Sequence, residues 1–182
     1  MLQKIASWLE NLFRKSHPLD LSEPVDFVSD QCLLLIRHYE GVHLTTYRDP
    51  VGILTIGYGD TGSHVKMGDT ITLAEAEARL RRRLDGEFVP GVLGALTRDP
   101  RQCELDAMVS LAYNIGVGAF RTSTLVKKFN TDDANVASEF IRWDKAKGKS
   151  LLGLRRRRAA ERMVYLGTPA MDAIRIAEAN TE

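Results

Sequence analysis

Residues 40–59 of the chain read EGVHLTTYRDPVGILTIGYG, and this stretch decides the fold. It follows an apolar helical stripe over residues 29–40, for which Ser29 is a suitable N-cap. Gly41 is suited to end that helix, because glycine tolerates the left-handed backbone conformation that is common at helix C-termini. The first part of the pattern therefore predicts a helix that ends at Glu40.

A tight turn and a strand follow this helix. Asp49, Pro50 and Gly52 occupy the first, second and fourth positions of a type I turn. Residues 53–56 then form a β-prone run of branched side chains. A small antiparallel β-region is therefore expected over about residues 44–60.

Glu40, Asp49 and Thr55 are the candidate catalytic residues. Glu40 would lie at the negative end of a helix dipole, which disfavours an ionised carboxylate and suits a general acid. Asp49 would be hydrated and ionised in its turn. Two carboxyl groups in unlike surroundings are what hydrolysis of a glycosidic bond requires. Each residue alone has an ordinary structural explanation, whereas the spacing Glu-x8-Asp-x5-Thr is far more specific.

The rest of the chain is expected to form a mostly helical body. Thr72 and Glu75 make a capping box at the start of a helix that could link two lobes. Asp99 and Pro100 suit the N-cap and first residue of a core helix. Shorter helices are expected at about 123–129, 132–142 and 153–166. The predicted fold class is α+β, with a small antiparallel β lobe joined by a helix to a mostly α-helical lobe.

Three further segments resemble the phage-type lysozymes, the muramidases of the T4 lysozyme superfamily. Residues 104–116 are similar to the central helix of that family, and residues 120–125 to its Phe-x-x-Ser-Thr-Leu segment. Residues 153–162, with Trp143 before them, are similar to its closing Gly-Leu-x-x-Arg-Arg-x-x-Glu motif. The resemblance covers about residues 29–167 and implies a lysozyme-like fold.

This resemblance implies a muramidase that cleaves the β-1,4 bond between N-acetylmuramic acid and N-acetylglucosamine, as a phage or prophage endolysin. Glu40 would protonate the leaving oxygen, while Asp49 and Thr55 would hold an attacking water on the opposite face. The anomeric configuration would then invert, which requires carboxyl groups roughly 6.5–9.5 Å apart. Substrate contacts are expected from Gly59, Tyr113, Asn114, Ser123 and Thr124. Tyr113 has an alternative role as a core residue.

Two other functions remain open at this point. A lytic transglycosylase would cut the same bond with the substrate's own 6-hydroxyl group. Such an enzyme needs Glu40 but not a water-holding pair, so Asp49 and Thr55 argue against it. A non-catalytic wall-binding protein would keep the fold, but here all three catalytic positions are filled.

The composition suits one globular domain, since 44% of the 182 residues are hydrophobic and 27% are charged. Residues 142–162 hold nine Lys or Arg against two acids, a local charge of +7, although the whole chain carries only +1. These basic residues could be buried structural arginines, contacts for acidic stem peptides or anionic envelope polymers, or a solvated face. Nucleic acid is not an expected partner, because no recognised binding motif accompanies the charge.

The resemblance implies that peptidoglycan is the partner, and a monomer is the expected state. Cys32 and Cys103 are expected to be free thiols on apolar helix faces. Neither the cysteines nor the four histidines have metal-ligand spacing, so no metal or cofactor is expected.

The chain is expected to divide into an N-terminal helix and linker (1–28), a lysozyme-like catalytic domain (29–170) and a C-terminal tail (171–182). The N-terminal helix, residues 1–15, has an apolar stripe that could dock on the protein's own body or lie in a membrane interface. It lacks the continuous apolar core and cleavage site of a secretory signal. We therefore expect the protein to be made in the cytoplasm of a host bacterium and to act on the cell wall after release.

Overall fold

The computed structural model describes residues 27–146 and 148–180. The predicted helix of residues 1–15 and its linker lie outside these described residues. Within them, the expected α+β architecture is confirmed, with a small antiparallel sheet beside a mostly helical body. No helix in the two described ranges is long and apolar enough to cross a membrane.

Helix α1, which spans Asp30–Glu40, packs on the helical body and precedes the β lobe. Ser29 is its N-cap, as predicted, and the hydroxyl oxygen accepts the backbone N–H of Gln31 at 3.1 Å. Three antiparallel strands follow in the spatial order β1 (His43–Arg48), β2 (Leu54–Gly57) and β3 (Asp60–Thr61). The central strand therefore carries Thr55.

A helical segment connects this lobe to the rest of the protein. It consists of α2 (Leu73–Arg83), a π-helical turn (Leu84–Phe88) and α3 (Val89–Leu93). The predicted capping box at its start is present, because Thr72 and Glu75 bind each other's backbone N–H groups. Its buried residues, including Leu80 and Leu84, join the main hydrophobic core.

The helical body is built around α4 (Gln102–Ile115), in which every residue from Glu104 to Ala112 is buried. The remaining elements are α5 (Val117–Thr122), α6 (Thr124–Asn130), a 3₁₀ helix (Val136–Trp143), β4 (Lys145–Ala146), β5 (Lys149–Ser150), α7 (Leu152–Tyr165) and α8 (Ala170–Asn180). Helix α7 packs against both α4 and α8. The site-bearing helices therefore share one core.

The start of α4 differs from the prediction. Asp99 and Pro100 precede the helix, and Arg101 is its N-cap residue. The buried Glu104 carboxylate accepts the backbone N–H of Arg101 at 2.9 Å and also binds the Arg101 guanidinium at 3.1 Å. A local capping contact between Arg101 and Glu104, three residues apart, thus places the helix start two residues after the predicted N-cap.

The predicted C-terminal tail, residues 171–182, lies largely within helix α8. Ala170, Ala173, Ile174 and Ala177 are buried, a spacing of three to four residues that forms one apolar face. This face packs on α7 and α1. The C-terminal segment is therefore part of the helical body.

We expect Gly91→Ala to lower the free energy of unfolding by about 1 kcal/mol. This is opposite to the intrinsic preference, because alanine is more favourable than glycine in a helix by a similar amount. A Cβ atom at Gly91 would lie 2.6 Å from Cγ1 and 3.0 Å from Cγ2 of Val117, so the α3–α5 contact would be overpacked. Gly118→Ala is the matched control, because a Cβ atom there meets no atom within 4 Å. Urea denaturation should show opposite signs for the two variants, and stabilisation by both would contradict the close packing.

Candidate active site

Glu40 lies where α1 ends and the β lobe begins. Gly41 ends the helix with a φ of 68°, and its N–H donates to the Arg37 carbonyl at 3.3 Å. The Glu40 side chain is 24% exposed, and its Oε1 atom accepts Nη1 of Arg157 at 2.6 Å. Its other oxygen, Oε2, has no hydrogen bond to any residue in the described ranges. One face of this carboxyl group is therefore held by the protein, and the other is available.

Arg157 belongs to a buried group that we call the Glu161 cluster, which consists of Ser110, Arg157, Arg158 and Glu161. Arg157 is 3% exposed, and its Nε donates to Oε1 of Glu161 at 3.0 Å. Its Nη2 donates to the Ser110 carbonyl at 3.2 Å. All three guanidinium nitrogens of Arg157 thus have acceptors, and this fixes the direction in which Nη1 meets Glu40.

Glu161 is fully buried and anchors both arginines. Its Oε1 accepts the Ser110 hydroxyl at 2.8 Å and Nη2 of Arg158 at 3.1 Å, besides Nε of Arg157. Nε of Arg158 lies 3.0 Å from Oε2, yet the two atoms are not oriented for a hydrogen bond. This last contact is therefore an ion pair without a hydrogen bond.

The two arginines of the cluster respond differently to burial. Burial opposes the charge on Arg157, but the nearby carboxylates of Glu161 and Glu40 outweigh that effect and raise its pKa. Burial is also the largest influence on Arg158, and there it prevails and lowers the pKa. Arg157 is thus the better compensated of the two charges, because it alone contacts two carboxylates.

Asp49 is positioned by the β1–β2 hairpin, and the predicted turn is confirmed. Its carbonyl accepts the N–H of Gly52 at 2.9 Å, which closes the turn. Its Oδ1 accepts the N–H groups of Val51 at 3.0 Å and Ile53 at 2.8 Å. Among the described residues, Oδ2 has no partner, so one carboxylate oxygen orients the side chain and the other is left for an outside donor.

Thr55 is linked to Asp49 through the backbone of Ile53, which both residues bind. The Thr55 hydroxyl donates to the Ile53 carbonyl at 3.2 Å, and the Asp49 N–H donates to the same oxygen at 2.9 Å. Thr55 is only 4% exposed. Since its proton is used in this bond, the hydroxyl oxygen faces any further partner as an acceptor. Glu40 makes no hydrogen bond to either residue.

Gly59 and Tyr113 connect the two lobes. The Tyr113 hydroxyl donates to the Tyr58 carbonyl, and Arg83 donates to the Gly59 carbonyl at 2.8 Å. Burial is the main reason that the pKa of Tyr113 is raised to about 12, with added effects from nearby charges such as Glu40. Tyr113 therefore fits the alternative role of a core residue, and its neutral hydroxyl joins the body to the sheet.

The other three predicted contact residues have distinct surroundings. Asn114 is exposed, and its Oδ1 accepts Nη2 of Arg158 at 3.2 Å. Ser123 is 5% exposed and serves as the N-cap of α6, where its hydroxyl accepts the N–H of Val126. Thr124 is exposed and lines a cavity of about 220 Å³ together with Trp143. Asn114 and Thr124 are thus accessible, whereas Ser123 supports the helix.

Sequence reasoning offered a pairing of buried arginines with Glu161, but it did not identify Arg157, Glu161 and Ser110 as a unit that holds Glu40. The basic segment offered three interpretations, and buried structural arginines prove correct for Arg157 and Arg158. Arg155 is exposed, and Arg156 binds Glu178 at 2.9 Å. The signal was present in the Arg-Arg-x-x-Glu spacing, which places the acid one helical turn after both arginines.

Other polar chemistry in the described ranges is limited. No group of three or more His, Cys, Asp or Glu residues there could hold a metal ion. Cys32 is buried and Cys103 is half-buried, and both are free thiols. Burial raises the pKa of both thiols, which keeps them protonated and unreactive.

Comparison with known proteins gives consistent matches. The phage lysozyme family model matches residues 37–161. The endolysin of Acyrthosiphon pisum secondary endosymbiont phage 1 is 44% identical over 144 residues, which cover 76% of this chain and 97% of that protein. The endolysin of Bacillus phage PZA is 42% identical over 146 residues, covering 78% of this chain but only 56% of that longer protein.

A solved structure shows the same likeness. The muramidase domain of SpmX from Asticaccaulis excentricus superimposes with a TM-score of 0.73 at 30% sequence identity. The match covers 79% of this chain and 100% of that domain. The fold therefore agrees with the family-level sequence match.

We expect Glu161→Gln to lower the free energy of unfolding by about 3–5 kcal/mol, because it leaves two buried guanidinium groups without their shared carboxylate. Glu178→Gln is the control, since Glu178 is 37% exposed and its pair with Arg156 contributes at most about 1 kcal/mol. Urea denaturation measures both values. Equal small losses in the two variants would mean that the Glu161 cluster is not an essential anchor.

Proposed function

This chain belongs to the phage lysozyme family and is a peptidoglycan hydrolase, and we propose that it cleaves the β-1,4 bond between N-acetylmuramic acid and N-acetylglucosamine with inversion. The observation that carries the proposal is the arrangement of Asp49 and Thr55. The hairpin backbone occupies one oxygen of Asp49 and the proton of Thr55, and it leaves acceptor atoms on both side chains. Two adjacent acceptors are suited to orient a water molecule.

In this mechanism Glu40 is the general acid. Its Oε2 carries the proton, since Oε1 accepts the hydrogen bond from Arg157. Proton transfer to the leaving oxygen turns Glu40 into a carboxylate, and the adjacent Arg157 stabilises that charge as it develops. Because Arg157 is held by the Glu161 cluster, it is in place before the reaction and requires no rearrangement.

Asp49 and Thr55 hold the nucleophilic water on the opposite face of the sugar. The water donates one hydrogen to Oδ2 of Asp49 and the other to the Thr55 hydroxyl oxygen, so that its lone pair points at the anomeric carbon. As the new C–O bond forms and the glycosidic C–O bond breaks, Asp49 takes the proton from the water. Proton exchange with solvent then returns Glu40 and Asp49 to their starting states.

This assignment favours hydrolysis over the transglycosylase alternative. A transglycosylase would use the substrate's own hydroxyl group, so it would have no need for a second pair of acceptors fixed by one hairpin. Thr55 is a poor candidate for a covalent nucleophile, because its proton is given to a backbone carbonyl and no basic side chain binds it. Water is therefore the attacking group that these side chains support best.

The biological setting follows from the substrate. The protein acts on the bacterial cell wall, and we infer that it works as a monomer after release from the host cytoplasm. A docking or membrane-associating role for the predicted N-terminal helix stays a prediction, and the proposed mechanism uses none of its residues.

Glu40→Gln should reduce turnover of peptidoglycan by about 10²–10⁴-fold, because the amide cannot donate an acidic proton. The change preserves shape, and Arg157 keeps its bonds to Glu161 and Ser110, so the variant should fold. Glu77→Gln is the control, since Glu77 pairs with Arg37 on the outer surface at 2.8 Å and lies outside the proposed site. Full activity in a folded Glu40→Gln protein would remove Glu40 from the mechanism.

Asp49→Asn should abolish most activity while the hairpin stays intact, because the amide oxygen can still accept the N–H groups of Val51 and Ile53.

The wild type should release the α-anomer from the β-linked substrate, as NMR of fresh product would show. Mass spectrometry should find reducing muropeptides. Anhydro-muropeptides would instead establish transglycosylation, and a β-anomeric product would establish retention through a covalent intermediate.

A further inference from the structure

A cavity of about 510 Å³ lies between strand β3 and the helix that connects the lobes. Its walls carry several charged side chains, namely Asp60, His64, Arg79, Arg82, Arg83 and Glu87. None of the proposed catalytic residues lines it. The cavity is therefore separate from the site described above, and its chemistry is dominated by guanidinium groups.

Most of these charges are already neutralised by neighbours. Asp60 is 6% exposed and binds Nη1 of Arg79 at 3.2 Å and Nε2 of His64 at 3.0 Å. Arg83 donates to the Gly59 carbonyl, and its nearest carboxylate is Glu87 at 3.9 Å. These contacts use the charges of the cavity's inner wall to fix the β lobe on the connecting helix.

Arg82 is different, because its side chain makes no hydrogen bond or ion pair with any residue that the structure describes. It is exposed at the mouth of the cavity. With His64 neutral, three arginines against Asp60 and Glu87 leave a formal charge of +1. The cavity thus presents the guanidinium group of Arg82, unpaired among the described residues, and has a net formal charge of +1.

The cavity also borders the strand that carries Thr55. Asp60 pairs with Ile56 across β2 and β3, directly beside the pairing of Thr55 with Thr61. Adjacent residues of a strand point to opposite faces, so Asp60 and Thr61 lie on opposite sides of the sheet edge. Thr55 therefore shares its face of the sheet with Thr61, and a stem peptide from a polymer bound there would pass around the sheet edge to reach the cavity.

We propose that this cavity binds a carboxylate group of the peptide stems of peptidoglycan, with Arg82 as the principal donor. The inference rests on the proposed function, because it assigns a second contact to the same substrate. Guanidinium groups bind carboxylates through two parallel N–H donors. A singly charged carboxylate matches the surplus of one positive charge, whereas Glu87 and Asp60 oppose the higher charge of a phosphate dianion.

The test compares Arg82→Gln with the wild type on two soluble substrates: glycan strands that carry stem peptides, and the same strands after an amidase has removed the stems. KM should rise about 1.5-fold to fivefold on strands with stems, the range for one exposed charge pair, and kcat should be unchanged. On stripped strands the two proteins should have the same KM. Arg162→Gln is the matched control, because Arg162 is exposed on α7, away from the cavity.

Three results would overturn the proposal: an unchanged KM on strands with stems, an equal rise on both substrates, or an equal rise in the Arg162→Gln control. NMR titration adds a direct measure, in which a free stem tetrapeptide should shift the Arg82 side-chain signals more strongly than inorganic phosphate at equal concentration. Preference for phosphate would assign the cavity to a phosphate-bearing polymer and refute the stem-peptide proposal. A wild type that cleaves neither substrate would instead refute the proposed function.

Discussion

The buried carboxylate of Glu161 is the constraint on which the rest of the site depends. A charge without solvent is stable only when donors surround it, and here α7 supplies Arg157 and Arg158 while α4 supplies Ser110. The two arginines then extend outward to different places. Arg157 reaches Glu40 at the end of α1, and Arg158 reaches Asn114 at the end of α4. The buried Glu161 carboxylate thus fixes where α1, α4 and α7 meet. Through the two arginines it also fixes the orientation of Glu40 and Asn114.

The connection between the lobes depends on arginines in a different way. Glu77, Arg79, Arg81 and Arg83 lie along one stretch of α2, and each contacts a different part of the protein. Their partners are Arg37, Asp60, the Val28 carbonyl and the Gly59 carbonyl. Glu77 and Arg81 are one helical turn apart, yet both side chains bind residues outside the helix. The polar surface of this helix therefore fastens the β lobe to the body.

Local signals in the sequence predicted much of this structure. The Ser29 cap, the Thr72 capping box and the Asp49 turn are each set by neighbours within a few residues, and all three are present. Contacts between distant residues could not be predicted in the same way. For the candidate site, the spacing predicts Glu40, Asp49 and Thr55 as catalytic residues, but it could not give the partner of Glu40, which lies 117 residues away.

The peptide group of Ile53 has a consequence for how this hairpin can vary. Its N–H orients Asp49, and its carbonyl oxygen orients Thr55, while its side chain is 51% exposed. Main-chain atoms thus set the spacing of the two groups, and they are the same for every residue type except proline, which has no N–H. The side chain of residue 53 can therefore vary without moving Asp49 or Thr55. The length of the loop cannot vary in the same way, because one inserted or deleted residue would prevent Asp49 and Thr55 from binding the same residue's main chain.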